Sequence, residues 1–161
     1  MSYLQGEEKT KSIMSFFIVC SIVLIDQISK IFIHQSMDLY QSVIIIPSLL
    51  DFTYIRNEGI AFGINFEGSR IFFIVFPIII TFYLISLLRD KEFQSTSSQI
   101  SLLLIIGGAI GNITDRIFRG YVVDFIDFHI NGVHWYVFNI ADSSVTIGLL
   151  FLLYSSIIIQ R

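Results

Sequence analysis

Asp26, Lys30, Asp115, Arg116, Asp124 and Asp142 lie within or beside long apolar stretches of this 161-residue chain. An ionisable side chain is costly to keep at the edge of a hydrocarbon phase, so each marks a functional site unless a local partner explains it. For two pairs a structural reading leads. Asp26 and Lys30 stand four apart in the acid-first order that lets them neutralise each other on one helix face. Asp115 and Arg116 end an apolar run, where a cation suits the negative end of a helix and an ion pair can brace the next loop. Arg116 could also hold a substrate carbonyl or a lipid headgroup.

Asp124 and Asp142 are different. Residues 121–130 and 133–138 are rich in β-branched and aromatic types, and Asn131-Gly132 between them is a strong hairpin signal. With a two-residue turn Ile130 faces Val133, and counting outward sets Asp124 opposite Asn139. Asp142 follows three residues later, in the first turn of the next helix. Asn139 as an N-cap with Asp142 behind it also reads as a capping box, but a capping role does not need a second carboxylate delivered beside it. Two carboxyl groups within about one helical turn share a proton. The charged member can activate water while the protonated one hydrogen-bonds a scissile carbonyl, which is aspartic-protease chemistry.

Other chemistries have less behind them. Ser143 and Ser144 have His129 and His134 in the same region, yet nothing in the spacing enforces a triad. His34, His129 and His134 lack metal-ligand spacing, so no metal and no organic cofactor is expected. Gly107, Gly108 and Gly111 sit in an apolar run with no following Lys. Gly107 and Gly111, like Ser144 and Gly148, form the small-xxx-small pattern of closely packed membrane helices.

The elements that must position these groups belong to a membrane protein. Hydrophobic residues make up 54% of the chain and charged residues 14%, against about 25% charged in soluble domains. A formal net charge of −3 without a basic block leaves nucleic acid without a binding surface. Four windows approach the roughly 20 apolar residues that a span needs: 12–34, 70–88, 99–116 and 139–159. An even number puts both termini on one face. Lys9, Lys11, Arg89, Lys91 and Arg161 then oppose Arg56, Arg70, Arg116 and Arg119, which makes the termini cytoplasmic by a small margin. The first run continues through Asp26 and Lys30 with no small-x-small cleavage site, so it reads as a span and not as a cleaved leader. Cys20, preceded by bulky Ile18 and Val19, reads as a packing residue. Phe52, Tyr54 and Asn57-Glu58-Gly59 suggest a short strand and turn, and residues 60–66 a segment at the membrane surface. The whole chain, 1–161, is expected to be one domain.

Five ordered motifs resemble those of the lipoprotein signal peptidase (signal peptidase II) family of bacterial membrane aspartyl proteases. They are Asp26-Gln27-Ile28-Ser29-Lys30, Asn57-Glu58-Gly59-Ile60-Ala61-Phe62-Gly63, the run from Gly107-Gly108 to Asn112-Ile113-Thr114-Asp115-Arg116, Val122-Val123-Asp124-Phe125, and Phe138-Asn139-Ile140-Ala141-Asp142-Ser143. Ile60 departs from the family, which usually has alanine there. The resemblance implies an endopeptidase that cuts a prolipoprotein just before its diacylglyceryl-modified cysteine. It makes Asp124 and Asp142 the catalytic dyad. Asn57, Gly59, Phe62, Gly108, Asn112, Arg116, Asn139 and Ala141 would line or order the substrate site, with Asp26, Lys30 and Asp115 in support. The fold expected is an all-α membrane protein with four transmembrane helices, a small extracytoplasmic β platform and a short surface helix over 59–66. It would be a monomer in phospholipid of the bacterial inner membrane, with its active site near the extracytoplasmic face. The competing reading is a small proton-coupled transporter using the same buried carboxylates.

Overall fold

The computed structural model describes residues 2–59, 69–130 and 132–159, with side chains described for 10–59, 71–130 and 132–157. The surface-helix expectation for 59–66, Phe62 included, falls outside these residues apart from Gly59. Among the described residues four α-helices flank a sheet: α1 (Ser2–Ser36), α2 (Ser69–Leu87), α3 (Thr96–Phe118) and α4 (Ile140–Ile159). Among the described residues, Thr10–Ser36, Thr96–Phe118 and Ile140–Ile157 are long and apolar enough to cross a membrane, while Ile71–Leu87 is apolar but shorter.

The polarity of this bundle is inverted. Phe16, Phe17, Phe32, Phe82 and Leu150 point outward with 61–70% of their surface exposed, whereas Asp26, Lys30 and Asp115 are fully buried. Burial of apolar surface from water cannot drive such packing; close backbone approach and interhelical hydrogen bonds must. The third helix is the axis, in contact with the other three. Its seam with α4 depends on Gly108, where a Cβ would come within 2.3 Å of the Ala141 carbonyl oxygen. The small-residue pattern therefore divides between two neighbours: Gly108 and Gly148 face the α3–α4 seam, and Gly107 and Gly111 face Ile22 and Asp26 on α1.

The expected small β platform is present among the described residues as a four-stranded antiparallel sheet. Its strands β1 (Ser42–Ile46), β2 (Leu50–Asn57), β3 (Val122–Ile130) and β4 (Val133–His134) lie in sequential order. Strand β1 carries no alternating pattern, all five residues being exposed, and so escaped the sequence reading. The β2–β3 register shifts between Phe52 and Ile55, and Tyr54, in the irregular stretch, packs with Ile33, Val123 and Phe125 in the core beneath the sheet.

The hairpin also differs from expectation. His129 pairs with His134 and Ile130 with Val133, as a two-residue turn requires, but β4 ends there instead of running through 138. Pairing resumes only at an isolated bridge between Ile126 and Phe138. A continuous ladder would have put Val137 opposite Ile126, so the return strand has slipped by one residue. Trp135 still donates its backbone N–H to the Phe128 carbonyl oxygen at 2.7 Å, so the extra residue lies at 136–137; Trp135 and Tyr136 stand on the wall of a cavity.

Candidate active site

Strand β3 brings Asp124 to the end of the bundle, 2% exposed and gripped on both oxygens. Asn57 Nδ2 donates to Oδ2 at 2.9 Å and Asn139 Nδ2 to Oδ1 at 2.6 Å. The Asn57 amide is itself held, since its Oδ1 accepts from the Gly59 backbone N–H at 3.0 Å. Gly59 has φ +100°, and a Cβ there would strike the Phe73 ring at 2.6 Å. Only glycine suits both demands.

Asp142 occupies the first turn of α4. The expected capping box is present: Asn139 Oδ1 accepts from the Asp142 N–H at 2.9 Å, and the Asn139 N–H approaches Asp142 Oδ2 at 3.4 Å. Capping does not exhaust Asp142, whose other oxygen, Oδ1, accepts from Asn112 Nδ2 at 2.7 Å. Asn139 thus reaches both carboxylates, with its backbone N–H toward that of Asp142 and its amide nitrogen on that of Asp124, while its side-chain oxygen takes the Asp142 backbone N–H. The slipped hairpin register is absorbed by this one side chain. Burial, and after it the charge of Asp142, push Asp124 from 3.8 up to about 7, against the lowering effect of the Asn57 and Asn139 amides and the Lys30 cation. At neutral pH the pair therefore sits near the point where it holds one proton.

The supporting residues form a second cluster. Lys30 Nζ lies 2.8 Å from Asp26 Oδ2 and 3.3 Å from Asp115 Oδ2, and donates to Asn112 Oδ1 at 2.9 Å. Asp26 does more than neutralise Lys30: its Oδ1 accepts the Ala141 N–H at 2.9 Å, satisfying a free donor at the positive end of α4. Asp115 accepts from the Val123 N–H at 3.0 Å, tying α3 to the residue before Asp124. The expected Asp115–Arg116 brace is not the one formed. Asp115 pairs with Arg119, one turn on, because i,i+4 side chains share a face and i,i+1 side chains do not. Gln27 completes the cluster, donating to Asp115 Oδ1 at 3.0 Å and accepting from Arg119 at 3.0 Å.

Arg116 is left without such a partner. Among the described residues it makes no ion pair, and its buried Nε has no hydrogen-bond acceptor. It lines a cavity of about 690 Å³ with Asn57, Gly59 and Asp142, walled by Phe73 of α2, Trp135, Tyr136 and Phe138 of the hairpin return, and Ser143, Thr146 and Ile147 of α4. Of the residues expected at the site, Asn57, Gly59, Arg116 and Asp142 line this space. Asp124, Asn112 and Asn139 stand behind them through hydrogen bonds. Gly108 and Ala141 are buried in the α3–α4 seam and order the site without lining it. The sequence reading passed over Gln27, Arg119 and the cavity aromatics. Arg119 had a signal in its i,i+4 spacing from Asp115; Trp135 and Tyr136 had none, because the expected ladder kept them in a strand. Partial burial and then the charges of Asp124 and Asp142 hold the Tyr136 phenol above its usual range, so it feels both carboxylates.

The family model described as Signal peptidase (SPase) II matches residues 18–158. Similar curated proteins carry the name lipoprotein signal peptidase. That of Halothermothrix orenii is 42% identical over 84% of this chain and 89% of its own length. Those of Geobacter metallireducens and Thermodesulfovibrio yellowstonii are each 38% identical, over 83% and 91% of this chain and 85% and 95% of their own lengths. Two solved bacterial membrane enzymes, each 37% identical, superimpose with TM-scores of 0.81 and 0.82, covering 89% and 88% of this chain and 87% and 91% of theirs. These likenesses give the transporter reading no support. With apolar helices long enough to span a bilayer, they describe a multi-pass protein of the bacterial inner membrane. Together with the family match over residues 18–158, these likenesses show that the chain belongs to the signal peptidase II family of proteases.

Proposed function

We propose that this protein cuts the signal peptide from diacylglyceryl-modified prolipoproteins immediately before the lipidated cysteine, with Asp124 and Asp142 as the catalytic pair. One observation carries the reading: Asn139 joins the carboxyl groups of Asp124 and Asp142, and Asp142 lines a cavity with Arg116, a cation with no ion pair among the described residues. Asp142, at the positive end of α4, is the charged member and takes a proton from the attacking water. Asp124 carries the shared proton and gives it to the oxygen of the scissile carbonyl. The tetrahedral diol then collapses: the C–N bond breaks, the proton on Asp142 passes to the leaving amine, and one hydroxyl proton returns to Asp124 as the new carbonyl forms. Arg116 holds a neighbouring substrate carbonyl, and Asn57, Gly59, Asn112 and Asn139 keep the site in shape.

The names of the relatives and the apolar cavity wall made by Phe73 and Ile147 support a lipid-bearing substrate. In this reading all four helices span the membrane, phospholipid surrounds a monomer, both termini are cytoplasmic, and the dyad lies near the extracytoplasmic face. The decisive assay uses purified protein in detergent with one precursor, prepared with and without its diacylglyceryl group. Cleavage of the lipidated form alone is expected. Equal turnover of both would leave a general membrane peptidase.

A further inference from the structure

Lys30 does more than balance charge. An ammonium has three hydrogens and no acceptor, and here Nζ lies within ion-pair distance of Asp26 Oδ2 and Asp115 Oδ2 and donates to Asn112 Oδ1. The two carboxylates also hold other donors, among them the Ala141 N–H on Asp26 and Arg119 on Asp115. The hydrogen donated to Asn112 faces the dyad. It reaches an asparagine whose other end grips Asp142 at 2.7 Å and whose oxygen also accepts from Asn139 Nδ2 at 3.2 Å.

We propose that Lys30 is a positioning residue for catalysis: its ammonium fixes the Asn112 amide so that the nitrogen, and not the oxygen, faces Asp142. An asparagine side chain has two ends of nearly equal shape and opposite polarity. Turned over, Asn112 would present its oxygen to a carboxylate and its NH2 to an ammonium, two repulsive contacts in place of two attractive ones. A cation on the oxygen also polarises the amide and strengthens its donation at the far end. The same oxygen serves Asn139, whose nitrogen reaches Asp124, so one ammonium orders the amides on both carboxyl groups. The charges facing this network are Asp26 on α1, Asp115, Arg116 and Arg119 on α3, Asp124 on β3 and Asp142 on α4.

This inference rests on the dyad reading above, and its test separates the two. Lys30→Met, the charge-balanced Lys30→Met with Asp26→Asn, and Lys30→Arg are purified in detergent beside Asp124→Asn and assayed on lipidated precursor across pH. For a folded neutral variant, kcat is expected to fall at least about tenfold with KM nearly unchanged. Its pH profile should move to higher pH by on the order of one unit, because Asp124 loses a cation that lowers its pKa. Lys30→Arg should keep the wild-type pH profile with a reduced kcat, since the charge stays but a planar guanidinium cannot occupy the ammonium's place. A folded neutral variant with wild-type kcat and pH profile would overturn the proposal, as would wild-type kcat in Lys30→Arg. Failure of all three variants to fold would assign Lys30 to the scaffold alone and overturn it equally. Cleavage by Asp124→Asn would instead remove the dyad.

Discussion

Two polar clusters meet at Asn112, and they are built on opposite rules. In the one centred on Lys30, the charges of Asp26, Asp115, Lys30 and Arg119 sum to zero, and described partners surround each of them. In the other, Asp124 and Asp142 stand close enough for the charge of one to raise the pKa of the other, and Arg116 beside them is unpaired among the described residues. A closed network holds helices together where apolar burial from water cannot. An open one keeps interactions in reserve for a substrate and for a charge that develops during reaction. Incompleteness, more than the presence of buried charge, separates a site from a strut.

The contrast makes opposite demands on substitutions. In the open cluster, Asp142→Asn and Asp124→Asn should each lower kcat by on the order of 10³-fold or more while leaving a folded, membrane-inserted protein. Asp124→Asn should not lose stability on electrostatic grounds, because the native state holds a proton there that an unfolded chain releases near 3.8. By the same linkage, native stability falls as pH rises from about 4 to about 7 and then levels off. In the closed cluster, Asp115→Ala removes one of the two carboxylates on a fully buried Lys30 and the acceptor of the Val123 N–H, and should cost about 3–5 kcal/mol, seen as a lower melting temperature in detergent. Retained stability there would erase the distinction between the clusters. Next in size is pH. Turnover should decline about tenfold per unit above about 7, where Asp124 ionises and no donor remains for the carbonyl; a flat profile to pH 9 would remove the proton from the mechanism. The smallest effect is that of Arg116→Ala. It should raise KM by roughly five- to tenfold, worth about 1–1.4 kcal/mol, with little change in melting temperature, because no partner is stranded. A large stability loss with unchanged KM would move Arg116 into the closed cluster.

Much of the site can be read from the chain because its key distances are local. The Asp26 to Lys30 interval is one helical turn, and the Asn139 to Asp142 interval is a capping box; both arise whenever those segments are helical. The approach of Asp124 to Asn139 follows from a hairpin, whatever the rest of the fold does. Even so, it was reached through a register one residue off, and it survives because the Asn139 side chain spans the difference. Strand β1 left no trace in the pattern, since a fully exposed strand has no buried face to make its residues alternate.

The sequence by itself determined that the solvent is lipid, that four apolar segments flank a β platform, and that two carboxylates converge on one asparagine. Composition and short-range spacing carry that information, and neither needs a partner from elsewhere in the chain. Only the tertiary structure decided that Asp26 serves the start of α4, that Asp115 turns to Arg119 and leaves Arg116 without an ion pair among the described residues, and that one lysine is joined through Asn112 to the groups around both carboxylates. Those choices depend on α3 lying within backbone contact of α1 and α4. Residues such as Gly108 permit that approach, but the partners it creates are set by packing between segments far apart in the chain.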